Sequence, residues 1–321
     1  MIRGLTIAIC VSALAACATP QQLPPGAGPT QAHFADDGHW IASDGFRLAF
    51  SSWVAAKPVA VIVALHGMND YGEAFAMPAK FWSEKGVTSY AFDQRGFGRT
   101  EGDGHWPGTQ TMVNDAREFI ALARARHPGV PLYLMGESMG GAVAILTGAE
   151  GAGAGVGGDG IILVSPALLG WSQLGVAERT LLWTMTHISP GSQLTGQGLN
   201  RQPSDNIPML EALGRDPYVI KRTRVDAVYG LVSLMEEAWQ HAAEVKPPTL
   251  VVYAGDDQVV PTQPIEALVH RLRNVRALCY SDGFHMLLRD IKGARAWQEI
   301  LDYVSKPGDR AVGEGRACTG R

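Results

Sequence analysis

Six short apolar runs recur along this chain, and they restrict its fold more than any other feature. A continuous apolar run of this length is typical of a strand that is buried on both faces of a sheet. The runs span residues 59–65, 87–92, 132–135, 161–164, 250–253 and 275–280. Helical patterns, such as that of residues 113–125, separate most of them. The alternation predicts an α/β fold with a mostly parallel sheet flanked by helices.

One long interval breaks this alternation of strands and helices. Residues 166–247 hold no convincing strand, although residues 177–183 and 228–243 show apolar helical patterns. Ligands bind at the carboxyl ends of the strands in open α/β folds. The interval therefore predicts an inserted helical cap over about residues 167–246, lying above those strand ends. A purely structural excursion lined by core aromatic side chains is the alternative.

The stretch Gly136-Glu137-Ser138-Met139-Gly140-Gly141 connects an apolar run to a helix-forming run. A serine on a sharp strand-to-helix turn presents its hydroxyl at the start of the helix. Glycines beside it remove side chains that would clash there. In this context the G-x-S-x-G pattern indicates a nucleophile elbow, with Ser138 as the nucleophile. An ordinary glycine-rich turn is the alternative.

A serine nucleophile needs a base within hydrogen-bonding reach, and the base needs a carboxylate that orients it. His285 lies in the loop after the last predicted strand, where hydrolases with the chain order Ser, Asp, His carry their base. His105 lies in a glycine-rich loop that could also reach the site. The carboxylate is expected after residues 250–253, where Asp256 and Asp257 are neighbours. Successive side chains point in different directions, so only one of the two can face the histidine.

Acyl transfer also needs hydrogen-bond donors for the developing oxyanion, and two backbone N–H groups usually supply them. One is expected from Met139, the residue after the serine. The other is expected from Met68, in the loop after the strand that ends at Leu65. His66 begins that loop and is interpreted as its support. Residues 93–100 follow the next strand, and their charged residues and glycines predict a packed, hydrogen-bonded loop near the site.

Taken in order, these motifs resemble those of the α/β-hydrolase superfamily, in particular its monoacylglycerol lipase and lysophospholipase-like branch. The matching motifs are His66-Gly67, Asp93-x-Arg95-Gly96-x-Gly98, Gly136-x-Ser138-Met139-Gly140-Gly141, Asp257-x-Val259-Val260-Pro261 and Gly283-x-His285. The resemblance covers about residues 40–306. It implies an α/β-hydrolase fold whose insertion forms a mobile cap over an acyl-chain pocket.

The same resemblance implies a serine hydrolase that cleaves carboxylic esters of lipid-like substrates, of the monoacylglycerol or lysophospholipid type, through an acyl-enzyme intermediate. The equivalents of Ser138, Asp257 and His285 form the catalytic triad in that family, and no metal or organic cofactor is needed. The chain departs from the family pattern at two positions. Asp257 stands two residues after a glycine where the family commonly has three, so Asp256 stays a competitor. Glu137 replaces the histidine that often precedes the serine.

Other functions stay open at this point. The motifs also fit an acyltransferase or an aminopeptidase, and an aminopeptidase needs an acidic site for the amine of its substrate. Glu236 and Glu237 are the acidic pair of the predicted cap, although such a pair is more typical of a solvated helix face. A non-catalytic, lipid-anchored binding protein is a further alternative, and loss of a triad residue would mark it.

The N-terminal residues predict a targeting signal outside the folded domain. Residues 1–17 combine a short positive start, an apolar stretch and Leu14-Ala15-Ala16-Cys17, which resembles the lipobox of bacterial lipoprotein signals. The resemblance implies acylation of Cys17, export to the cell envelope and membrane anchoring, at the outer membrane if the host has one. An ordinary cleaved signal peptide is the alternative. Residues 18–35 predict a flexible tether, because residues 19–31 within them are rich in proline, glutamine and glycine.

The amino-acid composition and net charge limit the kinds of molecule that this chain is expected to bind. The chain has 321 residues, of which 46% are hydrophobic, so it is long enough to bury one large core. Its net charge is −4 and it has no basic block, so no nucleic-acid partner is expected. Residues 36–306 are expected to form the hydrolase domain, and residues 307–321 a C-terminal tail.

Two further patterns bear on cofactors and covalent links. Residues 151–160 contain a G-x-G-x-x-G match, but it follows a helix and precedes a strand, the reverse of a dinucleotide site, so a linker is expected. The chain has no C-x-x-C pattern or Cys/His cluster, so no structural zinc is expected. Cys279 and Cys318 remain outside the signal, and export would allow a disulfide between them.

Overall fold

The computed structural model describes residues 19–149, 158–196, 200–305 and 318. The β-strands of these residues are β1 His33–Phe34, β2 His39–Ile41, β3 Arg47–Trp53, β4 Ala60–Leu65, β5 Val87–Phe92, β6 Leu132–Glu137, β7 Gly160–Val164, β8 Gln193–Leu194, β9 Thr223–Arg224, β10 Thr249–Ala254 and β11 Val275–Tyr280. The α-helices are α1 Ala76–Glu84, α2 Thr109–Arg126, α3 Met139–Gly148, α4 Val176–Ile188, α5 Ile207–Arg215, α6 Val225–His241, α7 Thr262–Arg271 and α8 Ala294–Ser305.

One large sheet organises the molecule, with the strand order β1-β2-β3-β5-β4-β6-β7-β10-β11. Strands β1 to β3 pair antiparallel with their neighbours. From β5 to β11 across the sheet, all neighbouring strands are parallel. Each of the six apolar runs of the sequence is a strand of this parallel region, so the predicted α/β fold is confirmed.

The core lies on both faces of the parallel region, as β4 illustrates. All six residues of β4 are buried, and successive side chains of a strand point to opposite faces. Its odd-numbered residues lie in an apolar cluster with α2 and α3, and its even-numbered residues lie in a second cluster with α1 and α8. Burial on both faces explains why these strands are apolar without alternation.

Helix α3 follows β6 directly and is buried along its whole length. It packs against β6, α2 and α6, and its sequence accordingly carries no charged residue. The turn between β6 and α3 lies at the carboxyl edge of the parallel strands. The loops after β4, β10 and β11 leave the sheet at the same edge, because these strands run in the same direction. This edge brings the predicted site residues together.

The segment between β7 and β10 is a helical insertion. It contains α4, α5 and α6, with short 3-10 turns at Trp171–Gln173 and Ala242–Glu244. Helix α6 packs against α3 of the sheet domain, and α4 packs against α6. Within α4, all of whose residues are described, Thr186 alone is buried. The insertion is therefore held to the core mainly through α6.

Two features of the insertion differ from the sequence prediction. Strands β8 and β9 form a small antiparallel pair, although the sequence predicts no strand in this interval. Two-residue strands are too short to show a period of two. Helix α5 is also additional to the predicted helices. Asn206 accepts a hydrogen bond from the N–H of Met209, and a proline lies in the first turn, which are ordinary signals of a helix start.

The predicted tether over residues 18–35 also differs from the structure. Backbone hydrogen bonds join this arm to the domain, from Leu23 to Trp106 at 2.9 Å and from Thr30 to Ser43 at 2.8 Å. The N–H of Gln21 donates to the side chain of Asp226 at the start of α6, at 3.3 Å. Strand β1 then adds to the sheet. The folded domain thus supplies hydrogen-bond partners that fix the arm, and the composition of the arm alone does not reveal them.

Several predictions lie outside the described residues. These are the signal over residues 1–17 with Cys17, most of the linker over residues 151–160 and almost all of the tail over residues 307–321. Cys318 is described, and a disulfide joins it to Cys279 of β11, with a Cα–Cα distance of 5.3 Å. No helix in the described part of the chain combines the length and the apolar character needed to cross a membrane.

Candidate active site

Ser138 occupies the turn between β6 and α3 with a φ of 53° and a ψ of −117°. A positive φ is uncommon for residues other than glycine and persists where the surroundings hold it. The N–H of Ser138 donates to Val164 at 3.0 Å, and its carbonyl accepts from Gly141 at 2.9 Å and from Ala167 at 3.0 Å. These bonds fix the strained turn between two strands and a helix.

Close backbone approaches explain the glycines around the serine. A Cβ atom at Gly136 would lie 2.2 Å from the carbonyl oxygen of Gly140. A Cβ atom at Gly140 would lie 2.1 Å from the carbonyl oxygen of Leu65 in β4. Neither distance is compatible with a side chain, so the sharp turn requires glycine at both positions.

A chain of hydrogen bonds connects the three predicted site residues. The hydroxyl of Ser138 donates to Nε2 of His285 at 3.0 Å. Nδ1 of His285 donates to Oδ2 of Asp257 at 2.7 Å. Oδ1 of Asp257 accepts from the N–H groups of Val259 and Val260, each at 2.8 Å. The carboxylate is thus fixed by the backbone of its own loop, and its side chain is fully buried.

The structure brings Asp257 to His285 and leaves Asp256 exposed. The N–H of Asp256 donates to the carbonyl of Gly283 at 3.1 Å, which ties the aspartate loop to the histidine loop. His105, the other candidate base, donates through Nδ1 to the carbonyl of Gly102 at 2.7 Å within its own loop.

The two predicted oxyanion donors adjoin the serine. The N–H of Met139 is the first of α3, where a helix offers no internal acceptor. A Cβ atom at Gly67 would lie 3.2 Å from Cβ of Ser138, so the loop that carries Met68 passes directly beside Ser138. No backbone hydrogen bond found among the described residues uses the N–H of Met68. Within the part of the chain that the structure describes, both amides are therefore available to a ligand oxygen.

His66 holds the Met68 loop, as its position in the sequence predicts. Its Nδ1 donates to the carbonyl of Gly67 at 2.8 Å, and its Nε2 accepts from the N–H of Gln94 at 2.9 Å. The side chain of Gln94 donates in turn to the carbonyl of His66 at 2.9 Å. Burial lowers the pKa of His66. The imidazole is therefore neutral, with its proton on Nδ1.

The loop over residues 93–100 is packed by ion pairs, as predicted. Arg95 is buried and pairs with Asp115 of α2 at 2.7 Å and also with Asp44. Arg99 pairs with the buried carboxylate of Asp93 at 2.8 Å. None of these ion pairs includes a residue of the predicted triad, and they tie the loop to neighbouring segments, which indicates a structural role.

A buried ion cluster near the serine was not predicted from the sequence. Nη2 of Arg289 lies 2.7 Å from Oδ2 of Asp70 and 3.6 Å from Oε2 of Glu137, and all three side chains are at least nine-tenths buried. Burial raises the pKa of Glu137, and Arg289 only partly offsets it. Burial opposes the charge of Arg289, but Asp70 and Glu137 outweigh that effect and raise its pKa. The sequence does carry one sign of this cluster, since each of its three residues lies at or after the carboxyl end of a β-strand.

The insertion also contains an aromatic cavity of about 480 Å³. It lies between α4, α6 and the 3-10 turn before α4, and Trp171, Trp183 and Tyr229 line it together with Arg179 and Thr180. Such a cavity cannot be inferred from a helical pattern, because it depends on how the helices pack. Within the described residues, no cluster of three or more Asp, Glu, His or Cys side chains is suited to hold a metal ion.

Known proteins share both sequence and fold with this chain. It is 26% identical over 275 residues to the monoacylglycerol lipase of Mycolicibacterium smegmatis, covering 81% of this chain and 93% of that protein. It is 22% identical over 295 residues to the monoglyceride lipase of Homo sapiens, covering 89% and 96%. A soluble variant of monoglyceride lipase from Saccharomyces cerevisiae, solved with a substrate analog, has the same fold. The TM-score is 0.71 at 16% identity, covering 90% of this chain and 98% of that chain.

A family model delimits the shared region. The family described as "Serine aminopeptidase, S33" matches residues 56–292, from just before β4 to the 3-10 turn after His285. The matched span includes the serine turn, the aspartate loop, the histidine loop and the whole insertion. Because it comprises well over half of the chain, this protein belongs to that family of α/β hydrolases.

Proposed function

We propose that this chain is a serine esterase that cleaves carboxylic esters of lipid-like substrates, of the monoacylglycerol or lysophospholipid type. The observation that carries the proposal is the hydrogen-bonded chain from Ser138 through His285 to Asp257, built on a strained turn next to the backbone amides of Met68 and Met139. The substrate class is supported by the relatives named as monoacylglycerol and monoglyceride lipases. The aromatic cavity of the insertion adds an apolar space of a size that suits an acyl chain.

The proposed reaction begins with acylation. Oγ of Ser138 attacks the ester carbonyl carbon while its proton passes to Nε2 of His285. The carbonyl oxygen becomes an oxyanion and accepts hydrogen bonds from the N–H groups of Met68 and Met139. Asp257 holds the imidazolium in place. The bond to the alcohol then breaks, and the departing alkoxide takes the proton from His285, leaving an ester on Ser138.

Deacylation repeats these steps with water. His285 removes a proton from a water molecule as that water attacks the acyl carbonyl. The second oxyanion uses the same two amides. When it collapses, the bond to Oγ of Ser138 breaks, the serine recovers its proton from His285, and the carboxylic acid leaves. Water is the only co-reactant.

An aminopeptidase is the alternative suggested by the family's description. Glu236, one of the acidic pair considered for an amine site, already accepts hydrogen bonds from the N–H of Ser172 and from Gln240. These bonds give Glu236 a structural role at the 3-10 turn before α4. The engagement of Glu236 and the relatives named as lipases support the ester reaction over removal of an N-terminal residue.

Initial rates on p-nitrophenyl acetate, butyrate, octanoate and palmitate and on a monoacylglycerol test the proposal, with Ser138→Ala as the control. Turnover that needs Ser138 and rises with acyl length supports the lipid esterase. A short-chain optimum indicates a small-ester hydrolase instead. Hydrolysis of aminoacyl p-nitroanilides without any ester turnover indicates the peptidase, and absence of all Ser138-dependent turnover indicates a binding protein. Transfer of the acyl group to an added alcohol, in place of water, indicates an acyltransferase.

We also propose that the chain is exported and anchored in the cell envelope through acylated Cys17. The lipobox-like sequence Leu14-Ala15-Ala16-Cys17 supports this proposal, and two or more acyl chains give stable membrane binding where one does not. Growth of expressing bacteria with an alkyne fatty acid should label the wild-type chain and leave Cys17→Ser unlabelled. Labelling that persists in Cys17→Ser would contradict lipidation at this cysteine.

A further inference from the structure

The three loops that form the proposed site each carry one member of the buried ion cluster defined by Asp70, Glu137 and Arg289. Glu137 ends β6 and immediately precedes Ser138. Arg289 follows His285 in the same loop and ends a 3-10 turn. Asp70 lies in the loop of Met68. One guanidinium therefore contacts a carboxylate from each of the other two loops, at 2.7 Å and 3.6 Å.

Asp70 transmits the contact to the proposed oxyanion loop. Its N–H donates to the carbonyl of Gly67 at 3.3 Å, which closes the turn containing Met68. Its Oδ1 accepts from the N–H of Tyr71 at 2.9 Å, while Oδ2 faces Arg289. A shift of the Asp70 carboxylate would therefore move the turn that presents the Met68 amide to the substrate.

Hydrogen bonds also fix the backbone of Arg289. Its N–H donates to the carbonyl of Met286, the residue after His285, at 2.7 Å. Its carbonyl accepts from the side chain of Asn206, at the start of α5, at 2.9 Å. The histidine loop is thus bonded to the insertion on one side and to the ion cluster on the other.

The cluster does not have the full hydrogen bonding expected of a purely structural ion pair. Among the described residues, Nε of Arg289 and Oε1 of Glu137 have no hydrogen-bond partner, although both atoms are buried. Buried charges that are incompletely satisfied are costly, and an apolar packing would often be at least as stable. Stability alone therefore gives little reason to place three charges here.

We propose that Arg289 is a positioning residue that, through Asp70 and Glu137, holds the His285 loop and the Met68 loop in register with Ser138. The inference rests on the proposed esterase function. No hydrogen bond or ion pair found among the described residues joins the Arg289 side chain to Ser138, Asp257 or His285, so Arg289 is inferred to act through the loops that carry them. Removal of the guanidinium leaves two buried carboxylates without a partner cation, and the loops separate. Reaction geometry is sensitive to displacements of about 1 Å, which can cost about 100-fold in rate.

The test compares Arg289→Met, Arg289→Lys and Asp70→Asn with the wild-type chain, using kcat and KM on one ester. The rate of Ser138 labelling by a fluorophosphonate is measured in parallel. Asp115→Asn is the matched control, because Asp115 is also a buried aspartate paired with a buried arginine at 2.7 Å. Thermal unfolding of each variant reports its stability. The labelling rate does not require the substrate class to be correct, so it tests positioning even if the wild type hydrolyses no ester.

The expected result is a fall in kcat of about 10- to 100-fold for Arg289→Met and Asp70→Asn, with KM within about twofold and an equal fall in labelling. Arg289→Lys should recover a substantial part of the loss, and Asp115→Asn should keep kcat within about twofold despite a similar loss of thermal stability. The proposal is overturned if kcat and labelling stay unchanged, if only KM rises, or if Asp115→Asn loses as much activity. If Arg289→Met does not fold, Asp70→Asn and Arg289→Lys decide the matter by the same criteria.

Discussion

Two neighbouring parts of the molecule, the helix after the serine and the first helix of the insertion, use apolar sequences in opposite ways. Every residue of α3 is buried, whereas α4 buries only Thr186 among its residues. Trp183 is 52% exposed and Leu181 is 65% exposed, although both would suit a core. Apolar composition therefore does not determine burial. The packing partners of each helix do.

The difference separates two requirements of an esterase. A reacting group must be held in a fixed position, and the proposed nucleophile Ser138 precedes α3, which is enclosed by the sheet, α2 and α6. A region that admits a lipid-like substrate must instead leave apolar surface accessible. The insertion does so with α4 and the aromatic cavity beside it. We expect substitutions in the sheet domain to change rate and stability, and matched substitutions in the insertion to change little of either.

The largest expected effect is on rate. Ser138→Ala removes the proposed nucleophile and should lower kcat/KM on a responsive ester by about 10⁴-fold or more, because the members of a catalytic triad act as one unit. The fold should be retained, since alanine keeps the backbone bonds of the turn. Rates of ester hydrolysis and far-ultraviolet circular dichroism measure the two effects.

Ser189→Ala is the matched serine substitution in the insertion. Ser189 is exposed and follows α4, so its removal should leave kcat/KM within about twofold. A comparable loss in both variants would contradict the assignment of the chemistry to the turn between β6 and α3.

The next effect is on stability at the serine turn. Gly140→Ala would place a methyl group 2.1 Å from the carbonyl oxygen of Leu65 and 2.9 Å from that of His66, both of them backbone atoms. Such a clash cannot be relieved by a side-chain rotation, so we expect a loss of more than about 3 kcal/mol in the free energy of unfolding. Urea unfolding at 25 °C measures it.

Gly214→Ala in α5 is the corresponding change in the insertion. Nothing lies within 4 Å of the added methyl group there, and alanine is the better helix former. A gain of about 0.5 to 1 kcal/mol is expected. If the two glycine variants lost similar stability, close packing would not explain why position 140 is a glycine.

The contrast between the regions also explains how much the sequence could predict. The strands of the parallel region were predictable because burial on both faces leaves a continuous apolar run, as in residues 60–65. The positions of Ser138 and His285 followed from the same runs, because parallel strands deliver their following loops to one edge. Asp257 could not be separated from Asp256 by pattern alone. The decisive fact is which side chain faces His285, and that depends on the loop's backbone.

The insertion and the arm were less predictable for a physical reason. The pair of β8 and β9 and the arm before β1 are held by a few hydrogen bonds to distant partners, such as that from Gln21 to Asp226. Asp70 and Arg289 likewise lie far apart in sequence, and only the folded sheet brings them to 2.7 Å. Local periodicity carries no information about contacts of this kind.

A matched pair of leucines tests the comparison at the level of packing. Leu146 in α3 is fully buried, and Leu181 in α4 is 65% exposed. Leu146→Ala should lower the free energy of unfolding by about 3 kcal/mol, because it removes apolar contacts and leaves a cavity. Leu181→Ala should change it by less than about 0.5 kcal/mol. Denaturant unfolding of both variants measures the difference, and equal losses would show that α4 is covered in solution.

The smallest expected effect is a difference in pH dependence between the regions. Burial lowers the pKa of His66 below its ordinary 6.5, so the unfolded chain binds a proton that the folded chain does not. His66 therefore reduces stability progressively as the pH falls below about 6.5 and has no such effect above it. In the insertion, burial of Glu236 opposes its charge, but hydrogen bonds from Ser172 and Gln240 prevail and lower its pKa below 4.5. Glu236 therefore contributes stability above pH 4.5 that is lost only as the pH falls through its lower native value.

Urea unfolding between pH 4 and pH 8 should resolve the two windows. His66→Gln should reduce the loss of stability between about pH 6.5 and pH 5, where Glu236→Gln should behave like the wild type. Below about pH 4.5, Glu236→Gln should lose less stability than the wild type, since it has no carboxylate to protonate. If His66→Gln kept the full wild-type slope between pH 6.5 and pH 5, the buried neutral imidazole would not be the source of acid sensitivity. The contribution of the Met68 loop to stability would then depend on pH no more than that of the insertion does.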